Sequence, residues 1–363
     1  MPLAARSTNW PGVSIVKPLA GADPNLESNL ESFFTLNYPL FEILICVHED
    51  GDPIIESVKR LQKKYPHVEC RIFVGGENVG PNPKINNLLP GYRAAKYDIF
   101  WITDGGIRIT PDTLMDMVHC QTDEVGLVHQ VPLVRDDQGF ATALEKVFFG
   151  TVVARVYLAF AVHGMNCFIG MSALVRRSVF IDIGGIEQFS CYVGDDFYMA
   201  EAIISKGYKL AISSQPVWQN SGSKRLSTFL ARISRWAQYR YASKPLRFVL
   251  EPFLECLFLG LEGAWAARML FGWNPLLFFS LHVLIWFILD LILIKVVNGG
   301  HMPVNMFQFL VCWIFRECTM WYPYLVAVFV PTIKWRTGNY RLGWGGKVKE
   351  FTPAMSSAPP SIV

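Results

Sequence analysis

The stretch FEILICVHEDGDP, residues 41–53, decides the fold, because it joins an apolar run to an acidic turn. Three more short apolar runs lie around it, namely VSIVKP (13–18), VECRIFV (68–74) and DIFWIT (98–103). The helix-like stretches that separate these runs lie near 25–36, where Asn25 is expected to cap the helix, near 53–65 and 83–95, and after Thr110. Strands alternating with helices are typical of βαβ units. The sequence therefore predicts an α/β fold with a largely parallel sheet.

Composition separates this domain from the rest of the chain. Hydrophobic residues make up 52% of the 363 residues and charged residues only 17%, against about 25% charged in ordinary soluble domains. The net charge of +3 is too small to indicate a nucleic-acid partner. Residues 11–245 are predicted to form a soluble domain, and apolar segments follow near 249–271, 274–297 and 306–330. The chain is thus predicted to be partly embedded in a membrane.

The second and third apolar segments are predicted to form a transmembrane hairpin over 274–330, because each is long enough to cross a bilayer. The connection 298–305 carries no Lys, Arg, Asp or Glu, whereas the tail 331–363 is rich in Lys and Arg. By the positive-inside rule the tail lies in the cytosol, and so does the N-terminal domain. Asp290 and Arg316 fall at similar depth and are expected to pair, since an isolated charge there costs at least a few kcal/mol.

The first apolar segment, 249–271, is predicted to lie at the membrane interface or to re-enter it. Glu251, Glu255 and Glu262 would fall within about 40° of one another on a single helix. Such an acidic stripe fits an interfacial or cavity-lining helix better than a lipid-exposed span.

Cysteine usage and the chain ends bear on the compartment. The eight cysteines form no CxxC motif and no disulfide-like spacing, so reduced thiols facing the cytosol are expected. Residues 1–10 contain no apolar run of the kind found in a secretory signal. The end of the tail, 352–363, is rich in Pro and small residues and is expected to be disordered.

Acidic residues follow two of the predicted strands. Asp52 follows the second strand and Asp104 the fourth. Ligands of open parallel sheets bind beyond the carboxyl ends of the strands, so both side chains are expected to face one crevice. A carboxylate there orients a sugar hydroxyl or holds Mg²⁺ or Mn²⁺ against a diphosphate; the alternative is that each only caps a turn. The glycines of GGENVG (75–80) have the wrong spacing for a dinucleotide loop.

Two further clusters are candidates for catalysis. Asp195 and Asp196 precede a helix-like stretch, so they form either an N-cap pair or a general base with its neighbour. The motif RISRW contains Arg232, Arg235 and Trp236. Its guanidinium groups would neutralise a leaving diphosphate, with the indole stacked on a sugar. The alternative is a patch that binds the membrane surface.

This order of motifs resembles the inverting, GT-A-fold, nucleotide-sugar glycosyltransferases, which end their pattern with (Q/R)xxRW. Longer stretches are similar to the ceramide glucosyltransferase family: KPLAGADPNL (17–26), NPKINNLLPGY (82–92), DGGIRITPDTL (104–114), GMSALVRR (170–177), QNSGS (219–223) and IKWRTGNYRL (333–342). The resemblance implies a GT-A-type, Rossmann-like sheet domain followed by membrane-embedded helices. It also implies transfer of glucose from UDP-glucose to the primary hydroxyl of ceramide, with inversion to a β-linkage.

The resemblance also implies roles for single residues. Asp52 would contact the nucleotide, with Lys84 and Asn86 in the same pocket. Asp104 would lie by the diphosphate, the metal and the sugar, and Asp196 would be the general base.

At the diphosphate and acceptor end, the resemblance places Arg232, Arg235 and Trp236. A divalent cation, Mg²⁺ or Mn²⁺, and a multi-pass position in the Golgi membrane with the catalytic domain in the cytosol are implied as well. A separate hypothesis, which does not come from the resemblance, is that the acidic-striped helix at 249–271 with Glu251 and Glu255 forms the opening toward the lipid acceptor.

The sequence departs from the family pattern at three points. The usual DxD motif is Asp104-Gly105-Gly106, which leaves one carboxylate for a metal. The acidic pair is Asp195-Asp196 where Glu-Asp is usual. The membrane-spanning helix with which most relatives begin is not visible, so the C-terminal hairpin is expected to anchor the chain unless a preceding segment also does so.

Three other functions remain open. A polyprenyl-phosphate or other lipid-acceptor sugar transferase would need cationic groups beside the base. A processive polysaccharide synthase would need a channel that two or three apolar segments hardly build. A membrane scaffold with an inactive transferase domain would not need the three motif aspartates.

Overall fold

The computed structural model describes residues 10–21, 24–135, 139–220, 222, 225–335 and 338–353. These fall into two compact units. The first is built from Met1–Pro132 and Tyr157–Gly222, and the second from Leu133–Val156 and Ser223–Pro359. The boundary predicted at residue 245 lies inside the second unit, and the functional limits of the domains stay a prediction. The expected disorder from residue 354 onward lies outside the described residues.

The strands are β1 (Val13–Leu19), β2 (Phe41–Val47), β3 (Cys70–Val74), β4 (Ile99–Thr103), β5 (Ile107–Arg108), β6 (Val125–His129), β7 (Pro132–Val134), β8 (Ser172–Arg176), β9 (Lys209–Ile212), β10 (Val217–Gln219), β11 (Thr332–Trp335), β12 (Gly338–Leu342) and β13 (Val348–Pro353). The α-helices are α1 (Leu26–Phe34), α2 (Ile54–Lys64), α3 (Pro83–Ala94), α4 (Thr113–His119), α5 (Phe140–Phe148), α6 (Ala154–Val162), α7 (Arg177–Asp182), α8 (Asp195–Ser205), α9 (Leu226–Ser243), α10 (Pro245–Leu250), α11 (Cys256–Phe271), α12 (Pro275–Val297), α13 (Met306–Thr319) and α14 (Trp321–Phe329).

A seven-stranded sheet with the order β3-β2-β1-β4-β8-β6-β9 forms the centre of the first unit. The four N-terminal strands are parallel, as predicted, and β6 pairs parallel with β9. Strand β8 runs antiparallel to both of its neighbours. Strands β1 and β2 are rich in Val and Ile and almost wholly buried, as strands covered on both faces are. The carboxyl ends of β2, β1 and β4 therefore meet at one edge.

The predicted helices of the first unit are confirmed, with one correction at α1. Helix α3 begins at Pro83, and the Asn82 side chain caps it by accepting the N–H groups of Lys84 and Ile85. Asn25 does precede α1, but its side chain makes no cap. Its amide instead donates to Asn220, at 3.0 Å.

In the second unit, α12 is a continuous helix of 23 residues, and a stretch of 18 residues within it has a mean hydropathy of 2.5. Among the described residues it is the one helix long and apolar enough to cross a membrane. The third apolar segment is not one helix, because it divides at Met320 into α13 and α14. That these two helices cross the bilayer together stays a prediction.

The acidic stripe predicted for 249–271 is wrong. Helix α10 gives way to a 3₁₀ turn at Glu251–Leu254, which contains Pro252. Glu255 then adopts an extended backbone (φ −94°, ψ 159°) before α11 begins. These breaks put Glu251 and Glu255 on a different element from Glu262.

Both of the first two glutamates are engaged inside the second unit. Glu251 accepts from Arg240 Nε at 2.8 Å and from the Tyr324 hydroxyl at 3.3 Å. Glu255 pairs with Arg155 at 3.3 Å. They therefore join segments of this unit to one another.

The predicted pairing of Asp290 with Arg316 is confirmed. Arg316 Nη2 lies 2.8 Å from Asp290 Oδ2, and the two side chains are 5% and 3% exposed. Asp290 also accepts from Arg155 Nη1 and Trp313 Nε1, both at 2.9 Å. Arg316 in turn contacts Glu317. The charges in this part of the unit compensate one another, as buried charges must.

Candidate active site

The two predicted strand-end aspartates lie at the same edge of the sheet. Strand β1 pairs with β2 on one side and with β4 on the other. Neighbouring strands are about 4.8 Å apart, so the ends of β2 and β4 are separated by about 10 Å. Asp52 follows one of these ends and Asp104 the other. That edge is where open parallel sheets bind their ligands.

Asp104 keeps an accessible carboxylate on a fixed backbone. Its Oδ1 lies 2.8 Å from Lys84 Nζ, and its side chain remains 44% exposed. Its N–H donates to the carbonyl of Met171 on the adjoining segment. Lys84 donates in addition to the Gly170 carbonyl at 2.7 Å. Asp104 is thus oriented by a cation yet still offers an oxygen to a ligand.

A buried lysine that the sequence analysis did not select supports the same turn. Lys17, inside β1, is fully buried, and its ammonium donates to Thr103 Oγ1 at 2.6 Å and to the Asp104 carbonyl at 3.1 Å. It also lies 3.6 Å from the centre of the Phe33 ring. Burial lowers the pKa of Lys17 to about 7, and the Asp104 charge opposes that shift only in part. The sequence signal that could have identified Lys17 is the presence of a lysine within an apolar strand.

The acidic pair lies in the first turn of α8, and the residue before that helix is Gly194. The N-cap alternative for the pair is therefore wrong. Asp195 Oδ1 accepts from the Asn82 side chain at 3.0 Å. Asp196 accepts the Gly170 N–H at 2.6 Å. A Cβ at Gly170 would come within 2.7 Å of the Asp196 Cβ, so this close approach needs glycine.

One ammonium connects Asp104 electrostatically to the acidic pair. Burial raises the pKa of Asp195 to about 6 and raises that of Asp196 as well, while the Lys84 charge opposes both shifts. Burial alone would lower the pKa of Lys84, but the three carboxylates outweigh it and raise that pKa. Lys84 is therefore a cation, and it stabilises the ionised form of each aspartate.

Asp52 and Asn86 have local structural roles. Asp52 accepts the N–H groups of Ile54 at 3.0 Å and Gly21 at 3.3 Å. The Asn86 amide accepts the Val79 N–H and donates to the Gly80 carbonyl, which closes the GGENVG loop. Within the described residues, neither side chain is hydrogen-bonded to the group around Lys84. Their contact with a nucleotide stays a prediction.

The motif RISRW lies on α9, in the second unit. Arg232 Nη1 donates to Glu145 Oε1 at 3.2 Å. Its guanidinium lies 4.7 Å from the Trp236 ring and 5.2 Å from the Phe149 ring. Arg235 is partly buried on the same helix. Glu145 was not selected from the sequence, because nothing local marks it as the partner of a residue 87 positions away.

The donor set fits a divalent cation held mainly by its substrate. Among the described residues, no group of three or more His, Cys, Asp or Glu side chains is arranged to hold a metal by itself. Mg²⁺, however, is commonly bound by one or two carboxylates together with phosphate oxygens and water. The accessible Asp104 carboxylate meets that requirement.

Comparison with known proteins identifies the family of the chain. Residues 3–348 match the family described as Glycosyl transferase family 21. The chain belongs to glycosyltransferase family 21. The prediction of a glycosyltransferase enzyme is thereby confirmed.

Several proteins named as ceramide glucosyltransferases resemble this chain over most of its length. "Ceramide glucosyltransferase 1" of Caenorhabditis elegans is 41% identical over 341 residues, which cover 93% of this chain and 73% of the relative. "Ceramide glucosyltransferase 3" of the same organism is 39% identical, covering 94% and 75%. "Ceramide glucosyltransferase" of Komagataella phaffii is 31% identical, covering 77% and 67%.

The fold is that of a solved transferase. A mannosyltransferase from Pyrobaculum calidifontis, determined in complex with GDP-mannose and Mn²⁺, superposes with a TM-score of 0.52 at 18% identity. The match covers 89% of this family 21 chain and 88% of the mannosyltransferase. The GT-A-type α/β fold predicted from the strand pattern is confirmed.

Proposed function

We propose that this chain transfers glucose from UDP-glucose to the primary hydroxyl of ceramide, with inversion to a β-linkage. The observation that carries the proposal is the cluster of Asp104, Lys84, Asp195 and Asp196 beside the carboxyl edge of the sheet. It joins an accessible carboxylate for the donor to a partly buried base, Asp196, for the acceptor. The names of the nematode and yeast relatives support the choice of substrates.

Asp196 is the proposed general base. Its two oxygens accept the N–H groups of Gly170 and Phe197, which fix the carboxylate and leave lone pairs for a hydroxyl proton. The hydroxyl oxygen attacks the anomeric carbon as its proton passes to Asp196. The bond from that carbon to UDP breaks, and the electron pair leaves with the diphosphate. Attack opposite the leaving group inverts the configuration.

The leaving diphosphate needs positive charge. Asp104 would hold Mg²⁺ or Mn²⁺ together with the diphosphate oxygens, and such a cation supplies neutralisation of charge on the departing group. Arg235 and Trp236 are proposed at the same end, with Arg232 on the same helix. Asp52, Lys84 and Asn86 are proposed around the nucleotide.

The acceptor dictates where the enzyme works. Ceramide lies in a bilayer, and α12 is apolar enough to enter one. We place the enzyme in the Golgi membrane as a multi-pass protein with the catalytic domain in the cytosol. Glu251 and Glu255 are proposed on the acceptor side, next to the apolar helices.

The proposal is tested by incubating membranes that carry the chain with ceramide and a panel of UDP-sugars, with and without a chelator. Among the UDP-sugars, UDP-glucose is expected to be the donor that yields product, and the product is expected to be glucosylceramide with a β-linkage, assigned by NMR. Chelation is expected to abolish its formation. A polyprenyl phosphate serves as a second acceptor. The acidic pair Asp195 and Asp196 disfavours an anionic acceptor, so transfer to the phosphate in preference to ceramide would overturn the assignment.

A further inference from the structure

A buried ion pair joins two helices of the second unit. Glu145 lies on α5 and Arg232 on α9, with 3.2 Å between Oε1 and Nη1. Their side chains are only 2% and 15% exposed. Apolar residues of the same two helices pack together in one cluster, among them Leu144, Val147 and Phe229. A carboxylate in such surroundings is stable only beside a cation.

Two aromatic rings hold the guanidinium from the sides. The Phe149 and Trp236 rings lie 5.2 Å and 4.7 Å from it. The rings also meet each other edge to face, at 6.0 Å. The Arg232 side chain is therefore fixed by a carboxylate and two rings together. Trp236, one turn further along α9, is fixed by the same arrangement.

We infer that Glu145 is a positioning residue for the RISRW motif and that Arg232 acts as its partner, not as a cation on the diphosphate. The inference rests on the proposed transferase function, since the motif is proposed at the leaving group. The Glu145 carboxylate lies 3.2 Å from the Arg232 guanidinium, so at a group farther away than this carboxylate the two opposite charges offset each other in large part. Arg235 and Trp236 are then the members of the motif that face substrate, and the Glu145–Arg232 pair orients them.

Single and double substitutions of the Glu145–Arg232 pair are expected to differ in their effects. Removing one partner leaves the other charge buried without compensation, which is strongly destabilising. Removing both charges together leaves no uncompensated charge, and replacement of a buried ion pair by well-packed apolar side chains of similar volume is often close to neutral. A cation that acts directly on substrate gives the opposite pattern, because its loss is not repaired by removing a distant carboxylate.

The experiment compares Glu145→Gln, Arg232→Gln and the double variant in the full-length chain, reconstituted in lipid nanodiscs. Each single variant is expected to lower kcat about tenfold or more, and the double variant to return within about threefold of the unaltered chain. KM for UDP-glucose is measured at the same time. Arg235→Gln is the reference, and adding Glu145→Gln to it is expected to restore nothing.

Two outcomes would overturn the inference. If Arg232→Gln and the double variant are equally inactive while Glu145→Gln is active, Arg232 is a direct cation. If the single variants lower the melting temperature but the folded fraction keeps its kcat, the pair only stabilises the fold. The matched control uses Arg341 and Glu350, an exposed ion pair of the same unit at 3.7 Å with 57% and 67% exposure. Arg341→Gln, Glu350→Gln and their double variant are expected to leave kcat unchanged.

Failure of the proposed function shows up separately. In that case the unaltered chain itself gives no glucosylceramide. The unaltered chain, the two single variants Glu145→Gln and Arg232→Gln, and their double variant are then compared by the dissociation constant of UDP-glucose and by melting temperature. Restoration of both values in the double variant still supports the pair as a positioning element, and no restoration contradicts it.

Discussion

Asp196 has the surroundings of a proton acceptor. Burial raises its pKa, and backbone N–H groups fix both oxygens. Asp196→Asn is expected to lower kcat by about 10²- to 10⁴-fold, the usual contribution of a general base, while far-UV circular dichroism stays unchanged. Asp195→Asn is the matched control in the same helical turn, because an Asn there still accepts from Asn82. A larger loss of kcat in the control would move the base to Asp195.

The charge of Lys84 influences the protonation of the proposed base, Asp196. This charge opposes the rise in the pKa of both aspartates, so Lys84→Met is expected to raise those pKa values further. A general base works only when deprotonated, and the acid limb of the kcat profile should therefore move to higher pH. The measurement is kcat against pH with saturating substrates. Lys59→Met, on the exposed face of α2, should leave the limb in place, and a shift to lower pH in Lys84→Met would refute the coupling.

At the scale of elements, one carboxylate on α12 holds three segments together. Asp290 accepts from Arg155, Trp313 and Arg316. Asp290→Asn removes the negative charge that both guanidiniums share, and a broken buried pair costs about 3–5 kcal/mol. The melting temperature of the detergent-solubilised chain should fall by several degrees. Glu262→Gln, on an exposed position of α11, is the control; an equal melting temperature in both variants would show that the network contributes nothing.

The elements that sequence patterns predict are the ones with a strong local period. The sequence predicts strand β2 at its observed bounds, because its run of apolar residues, interrupted only by Glu42, ends at an acidic turn. The antiparallel course of β8 was not foreseen, since pairing with β4 joins residues about 70 positions apart. The prediction of an acidic stripe was wrong for a local reason: it assumed one continuous helix, whereas Pro252 lies in a 3₁₀ turn and Glu255 has an extended backbone.

At the scale of the whole molecule, the sequence predicts the acidic residues of the candidate site. It does not predict the residues that support them from inside the fold. Asp104 and Asp196 follow from motif and topology. Lys17, Asn82 and Glu145 act through contacts with residues 86, 113 and 87 positions away. No window of sequence contains both partners of such a contact. The residues proposed to contact substrate are therefore easier to predict than those that hold them in place.

The donor and acceptor of the proposed reaction occupy different phases, and this gives a test of the complete molecule. An enzyme whose apolar helices lie in the bilayer meets ceramide by diffusion in two dimensions, so its rate should follow the mole fraction of ceramide in the membrane. At a fixed total amount of ceramide, a tenfold excess of added phospholipid is expected to lower the rate about tenfold below acceptor saturation, while KM for UDP-glucose stays unchanged. The measurement uses proteoliposomes of graded lipid content. A rate that depends only on the bulk ceramide concentration would mean that the acceptor reaches the site from water.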